Sequence, residues 1–394
     1  MIFRFCLYGF LKNQQYYAPF ILLAFREKGL SFFAIGVLLA LRELSANLME
    51  IPSGALADIY GRRRAMLFSM GAYIFSFLSL AMVEQYLFLG LAMLLFGLGD
   101  AFRSGTHKAI IMDYLARNGR LDEKTRVYGL TRSWSRIGSA LSALIAAALV
   151  FRSGDYSTVF YWTLVPYCLG SINLFCYPRY FDESSRGSSL GLREHFALTW
   201  RILKSCTPLR ARLLETMTWD GVYKGLKDYL QALLKALAKS QHAALLVGVV
   251  YCLLHLLESA ASRCSHGFAQ YFNDDEGAAK ALWTLRLLTH VLLIAALYMG
   301  LRELAVLLFI ALAVLQNLWR PVQVGRVQEL APPAQGATIL SVDAQSKALG
   351  TLIFAPFLGW SVDSWGLQTI GILAASLSLI RLSLPGLLAR RARD

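Results

Sequence analysis

Charge is what this chain has least of. Asp, Glu, Lys and Arg together make up 16% of its 394 residues, against about 25% in an average soluble domain. Six cysteines (Cys6, Cys168, Cys176, Cys206, Cys252, Cys264) include no C-x-x-C pair. That excludes a paired-thiol metal or redox centre and leaves them as packing thiols. No H-E-x-x-H or G-x-S-x-G run occurs, so zinc- and serine-hydrolase chemistry have no carrier. The run Leu98-Gly99-Asp100-Ala-Phe-Arg103-Ser104-Gly105-Thr106-His107-Lys108 misses the G-x-x-x-x-G-K-[ST] spacing of a phosphate loop, and no strand precedes it. An enzyme is therefore not expected, nor a metal or other cofactor. The first apolar segment holds Lys12 and Asn13 and lacks a small-x-small cleavage site, so it reads as a retained helix.

Long apolar runs stand where charge is missing. Hydrophobic residues reach 56% and the mean hydropathy is +0.49. A bilayer core asks for about 20 apolar residues per helix, and twelve such helices with short loops would use most of the chain. The runs predict helices near 3–25, 31–57, 62–83, 87–113, 127–150 and 156–179. A second set is predicted near 210–236, 241–263, 280–299, 303–328, 338–361 and 367–388. The expected organisation is a first half over 1–180, a basic connector over 181–208 and a second half over 209–394. In the connector Leu192, Phe196, Trp200 and Leu203 recur at helical spacing, with Arg193, Arg201 and Lys204 on other faces. This predicts an amphipathic helix lying on the membrane surface.

A formal charge of +14 could indicate a nucleic-acid binder, but its distribution argues against one. Alternate loops on the side of Arg62, Arg63 and Arg64 carry Arg117, Arg120, Lys124 and Arg126, then most bases of the connector, then Arg390, Arg391 and Arg393. The other loops offer only Arg26, Lys28, Arg152, Lys235, Lys239 and Arg302. Such asymmetry is the positive-inside bias of a multi-pass protein with both termini cytoplasmic. The partner implied is a lipid bilayer, and nucleic acid is not.

The loop between the second and third segments reads Gly54-Ala-Leu-Ala-Asp58-Ile-Tyr-Gly61-Arg62-Arg63-Arg64. Its glycines allow tight turning and close approach, and Asp58 closes a helix. It resembles the signature G-x-L-A-D-R-x-G-R-R of the major facilitator superfamily, with Ile59 where the pattern has arginine. The resemblance implies an all-α membrane protein of twelve transmembrane helices, six in each half, around a central cavity. It further implies a conformational latch of Gly54, Asp58, Gly61, Arg62 and Arg63, with Asp58 facing helix eleven and an arginine on Asp113. The bland reading of Arg62, Arg63 and Arg64 is that they only fix topology. The second-half counterpart, around Asn273-Asp274-Asp275-Glu276, lacks the pattern.

Polar residues inside the apolar segments name the candidate site. Asp100, Arg103 and His107 share one face of helix four, either as a proton-path element or as a buried structural pair. By resemblance, Arg103 matches the helix-four arginine of superfamily antiporters. Helix two carries Arg42, Glu43, Asn47 and Glu50, and Glu50 is the first candidate for a proton-carrying carboxylate. Helix one holds Lys12, Asn13 and Tyr16, helix seven Asp220, Lys224, Lys227 and Asp228, and helix ten Asn317 and Arg320. In the superfamily, helices one, four, seven and ten line the cavity, and polar stripes there suit a water-filled path.

Helix five contains Arg136 but lacks the G-x-x-x-G-P-x-x-G-G run of drug–proton antiporters. Among these candidates seven bases (Lys12, Arg42, Arg103, Arg136, Lys224, Lys227, Arg320) face five acids (Glu43, Glu50, Asp100, Asp220, Asp228). Such an excess favours anionic or zwitterionic solutes. The expectation is a monomeric secondary transporter of a small solute in a bacterial cytoplasmic membrane, with H+ as coupling ion. Drug efflux, nutrient-anion uptake and a non-transporting sensor are the alternatives.

Overall fold

The computed structural model describes residues 1–182, 207–238, 242–272, 274–330 and 336–391, and among them there is no strand. The expected amphipathic helix of the connector lies outside the described residues. The first half of the chain contains α1 (Ile2–Lys12), α2 (Ile21–Glu27), α3 (Phe32–Tyr60), α4 (Arg62–Met82), α5 (Tyr86–Arg103), α6 (Thr106–Arg117), α7 (Lys124–Ser153) and α8 (Thr158–Phe175). The second contains α9 (Thr207–Leu226), α10 (Tyr229–Leu237), α11 (Ala243–Tyr271), α12 (Asp275–Tyr298), α13 (Arg302–Glu329), α14 (Gly336–Trp365) and α15 (Ile370–Arg391). Seven described helical stretches are long and apolar enough to cross a membrane by length and composition.

Three segments expected as single helices are each broken in two. Helix one is interrupted between α1 and α2 by a polar run that ends at Pro19, whose ring and missing N–H oppose a continuing helix. Helix four breaks at Ser104 and Gly105, where Gly105 takes φ +74°. Helix seven breaks at Lys227 and Asp228. All three breaks fall on segments chosen from the sequence for their polar stripes. A broken helix exposes backbone N–H and C=O groups at membrane depth, which is tolerated only in protein interior or beside water.

By contact density the described residues form two units. Unit one takes residues 1–29, the stretch from 41 to 182, and 244–255. Unit two takes residues 30–40, the described residues from 207 to 243, and those from 256 onward. Thus the first turns of α3 pack with unit two and the first turns of α11 with unit one. In unit two the carboxylate of Asp363 at the end of α14 accepts the backbone N–H of Phe32 at 3.0 Å and of Phe33 at 2.7 Å. It satisfies two of the N–H groups that a helix start leaves unpaired.

Unit one centres on aromatic packing of Tyr73, Phe77, Phe96 and Tyr167, with ring centroids 5.0–6.3 Å apart. In unit two α9 and α14 cross at Gly221 and Gly350, where a side chain on either would strike the backbone of the other helix. That approach draws Trp219 into a core with Trp283 and Trp319, all buried. Trp219 stacks on Trp319 at 4.3 Å and meets Trp283 edge-on at 4.8 Å.

Candidate functional site

The polar residues of unit one converge on Asp100. Arg42 donates from Nε at 2.9 Å and from Nη2 at 2.7 Å to Oδ2 of Asp100. The other oxygen accepts from the Tyr73 hydroxyl at 2.6 Å and from Arg103 Nη2 at 3.0 Å. Arg103 Nε also donates to the Tyr73 hydroxyl at 2.7 Å, which closes the ring of contacts. The Arg42 guanidinium lies 3.8 Å over Phe96. Every strong acceptor position on Asp100 is occupied, so an arriving proton would have to displace an arginine or the tyrosine.

Lys12, the last residue of α1, lies within electrostatic reach of Arg103 and Asp100 and makes no ion pair among the described residues. The cluster therefore holds three bases, Lys12, Arg42 and Arg103, around Asp100, with the buried Glu43 also within electrostatic reach of Arg42. His107 stacks on Tyr8 at 4.1 Å, and its Nε2 is 3.3 Å from the Tyr177 hydroxyl.

Other candidates of the first half are more scattered. Asn13 donates to the Gly9 carbonyl at 2.7 Å, which caps the broken end of α1. Tyr16 lies in the break, half-buried. Glu43 is buried. The half-buried carboxylate of Glu50 pairs with no described group, although Ser53 donates to the Glu50 backbone carbonyl at 3.0 Å. Arg136 is half-buried on α7 and makes no ion pair among the described residues.

The signature loop turns at Gly61, whose φ of +99° and contact with the Asp182 backbone leave no room for a side chain. Arg62 reaches Asp58 at 3.3 Å and the Ala109 carbonyl at 3.4 Å. Arg63, buried, donates to Asp182 at 2.9 Å, and the other Asp182 oxygen accepts the Arg64 backbone N–H at 3.0 Å. Two expectations need correction. The acid that takes Arg63 is Asp182, because the Gly61 turn packs against the short turn Arg179–Asp182 that follows α8. Asp113 is taken by Arg117, one helical turn along, at 3.2 Å. Gly54 makes no close approach, since open space stands where its side chain would be.

In unit two, Asp220 and Asp343 are fully buried and Arg320 bridges them, at 3.3 Å and 2.8 Å. Gln316 donates its amide to Asp220 and Thr216 donates to Asp343 at 2.6 Å. Lys227 and Asp228 pair with each other at 3.1 Å across the helix-seven break. Asn317 donates to the Ala313 carbonyl at 2.9 Å, and Lys224 is half-buried.

A second network sits toward the start of α12. Glu215 accepts from Arg212 at 3.1 Å, Arg326 at 2.7 Å and Arg381 at 2.6 Å, and Glu276 accepts from Arg326 and Arg212.

Residues 5–315 match the Major Facilitator Superfamily. The chain belongs to this superfamily. No curated protein matches it. Among solved structures it is similar to a variant of the nucleoside transporter NupG, at 14% identity over 97% of this chain and 98% of that one, with a TM-score of 0.81. A D-xylose–proton symporter gives 15% identity, 96% coverage of both chains and a TM-score of 0.71. A peptide transporter, POT, in complex with sulfate gives 15% identity over 99% and 95%, also at 0.71. At such identities the likeness is one of fold.

As a facilitator the protein is a multi-pass membrane transporter of small molecules and not an enzyme. The facilitator's broken helices α1–α2, α5–α6 and α9–α10 are three of the four segments that the sequence resemblance led us to expect around a cavity. Several residues of these networks escaped the sequence reading: Tyr73, Asp182, Glu215, Arg326 and Asp343. For Glu215, Arg326 and Asp343 the signal was present, a charge inside a helical segment expected to be apolar. For Tyr73 and Asp182 no spacing rule pointed to the partner.

Proposed function

We propose that this facilitator moves a small anionic or zwitterionic solute by alternating access in a bacterial cytoplasmic membrane, with both termini cytoplasmic. The observation that supports this reading is the cluster of Lys12, Arg42 and Arg103 around Asp100, with Glu43 as the one other described acid in reach. Its excess of one positive charge attracts an anionic group, and a low-dielectric surrounding strengthens that attraction.

Protons drive the movement, and Glu50 is their carrier. Asp100 is held by two arginines and a tyrosine, whereas the Glu50 carboxylate is unpaired among the described residues and free to gain and lose a proton. In proteoliposomes an imposed pH gradient is expected to drive uptake by the parent. Glu50→Gln is expected to abolish that response while leaving solute exchange intact. Full gradient-driven uptake by Glu50→Gln would remove Glu50 from the coupling path. A ligand screen dominated by hydrophobic cations would overturn the anionic reading itself.

The Gly61–Arg64 turn latches one conformation of the cycle. Asp58 and Asp182 hold Arg62 and Arg63 in one state, and Asp113 takes an arginine in the other. A shift of ~1.4 kcal/mol between the states changes their ratio about tenfold. Cysteine pairs introduced across the loop-bearing end of the protein are expected to cross-link less in Asp58→Asn than in the parent, at equal expression. Equal cross-linking would leave the three arginines as topology markers.

A further inference from the structure

Three bases of unit one stand outside the Asp100 cluster and hold no acid. Lys108 on α6 and Arg132 on α7 are exposed, and Arg136 on α7 is half-buried. None of the three makes an ion pair or donates a hydrogen bond among the described residues. Lys108 reaches across to α7, where its Nζ lies 5.5 Å from the ring centre of Tyr128. Arg132 and Arg136 follow Tyr128 at intervals of four residues, so all three share one side of that helix. Side chains on a helix lean toward its N-terminus, which sends Arg132 toward Tyr128 and Arg136 toward Arg132.

The depth of these bases sets them apart from a topology signal. Arg132 and Arg136 stand about 12 Å and about 18 Å along α7 from Lys124, by the rise of an α-helix. Bases in loops suffice to orient a membrane protein, and Lys124 and Arg126 already supply them. The side of α7 that suits lipid is a different one. It carries the exposed apolar residues Leu130, Ile137, Leu141 and Leu144. Ile137, in the middle of that side, is turned about 100° from Arg136 and about 140° from Arg132. Farther along α7 the arginine side is closed by α11, where Ala143 and Ala147 meet Gly248. Short of that contact it stays open, and the exposed Arg132 faces water.

Like charges four residues apart on a helix repel, so Arg132 and Arg136 destabilise one another until an anion lies between them. A phosphate monoester carries nearly two negative charges at neutral pH and three strong acceptor oxygens. That matches two guanidiniums and an ammonium better than a single carboxylate does. Guanidiniums grip phosphate through paired N–H donors, and a lysine adds a point charge.

We propose that Lys108, Arg132 and Arg136 bind the phosphate group of a small soluble phosphomonoester. The assignment rests on the reading of the protein as a carrier of anionic solutes and narrows that class to phosphate esters. Arg103 ends α5 and Lys108 stands in the first turn of α6, so one helix break separates this site from the Asp100 cluster.

The test is a thermal-stability titration of the full chain in phosphatidylcholine nanodiscs with methyl phosphate, acetate and trimethylammonium at constant ionic strength. A ligand of the folded state raises the melting temperature saturably. Methyl phosphate is expected to bind about tenfold more tightly than acetate or better, with trimethylammonium silent. A phosphate monoester takes its second charge near about pH 6, so methyl phosphate should tighten as pH rises through that point while acetate does not. Arg132→Gln and Arg136→Gln are each expected to weaken methyl phosphate by about tenfold, and Arg132→Lys should recover part of the loss. Arg152→Gln removes the same charge from the far end of α7 and is expected to change nothing.

Equal affinity for methyl phosphate and acetate, no saturable response to methyl phosphate, or an unchanged response in both glutamine variants would each overturn the site. Discs containing phosphatidylglycerol separate the sources of phosphate. Loss of the methyl phosphate response there would make a lipid headgroup the occupant and overturn the solute assignment. Counterflow tells the site from the carrier reading. Saturable binding of methyl phosphate without its counterflow keeps the site and removes the carrier reading. Counterflow of acetate without methyl phosphate binding removes the site and keeps the carrier.

Discussion

Asp100→Asn will cost this protein both stability and transport, and the loss is expected to be the largest of any single change in unit one. The amide keeps the shape of the carboxylate but removes the charge that Arg42 and Arg103 share. Two guanidiniums then face one another with Lys12 nearby and no acid between them. Removing one member of a buried pair costs about 3–5 kcal/mol, because the remaining charge stays desolvated. The side chains here are 22%, 18% and 23% exposed, and Arg42 keeps its contact with Phe96, so a cost at the lower end, about 2–4 kcal/mol, is expected. Equilibrium unfolding by SDS in mixed micelles reads it directly. Adding Arg42→Gln to Asp100→Asn should recover part of the loss by removing one unpaired charge. A single variant within ~0.5 kcal/mol of the parent would mean that water already screens the cluster, as it does for surface pairs.

The bearing of this cluster on transport separates two carboxylates that the sequence left side by side. Glu50 and Asp100 are both acids inside apolar helices, and spacing alone ranks neither. The contacts divide them: Asp100 is bound on both oxygens, while Glu50 has no partner among the described residues. Asp100→Asn should therefore fail through loss of folded protein or of solute binding, and Glu50→Gln through loss of the pH response alone.

Much of the fold was legible because bilayer thickness dictates it. Apolar runs of about 20 residues separated by basic turns leave little choice but helices that cross and return. The breaks were harder to see. Pro19 and Gly105 stand in the sequence, yet the apolar runs continue past them, and length arithmetic counts one helix where the backbone makes two. Local pairs were visible as well: Asp100 and Arg103 are three residues apart on one helix face. Arg42 is 58 residues from Asp100, and only the packing of α3 on α5 brings them together.

The partner that Arg63 holds in this structure was missed for a related reason. The resemblance pointed to Asp113 on α6, but Arg117 lies one turn from it and competes locally, while Asp182 is delivered by the short turn Arg179–Asp182 that follows α8. Side-chain partners set by tertiary packing carry no period in the sequence.

Glu215→Gln is expected to produce the largest loss in unit two. Glu215 is 4% exposed and accepts from Arg212, Arg326 and Arg381 at once. Arg326 itself is 1% exposed and donates its other bonds to Glu276 and to the Gln323 side-chain oxygen at 2.7 Å. Three arginines and two glutamates leave the group at +1, and the substitution raises it to +2 around a buried guanidinium. The cost for an uncompensated buried charge is about 3–5 kcal/mol, and the depth of Glu215 places this variant near the upper end. The double variant Glu215→Gln/Arg381→Gln restores the original net charge and removes the arginine bound most exclusively to Glu215. It is expected to regain a substantial part of the loss, with a coupling energy above ~0.5 kcal/mol in the double-mutant cycle. Additivity in that cycle would show that the three arginines act independently and that Arg381 is held by its helix alone. Recovery of stability together with transport would assign to this network in the second half the bracing role that Asp182 and Arg63 fill in the first, built from other residues on a loop that lacks the signature.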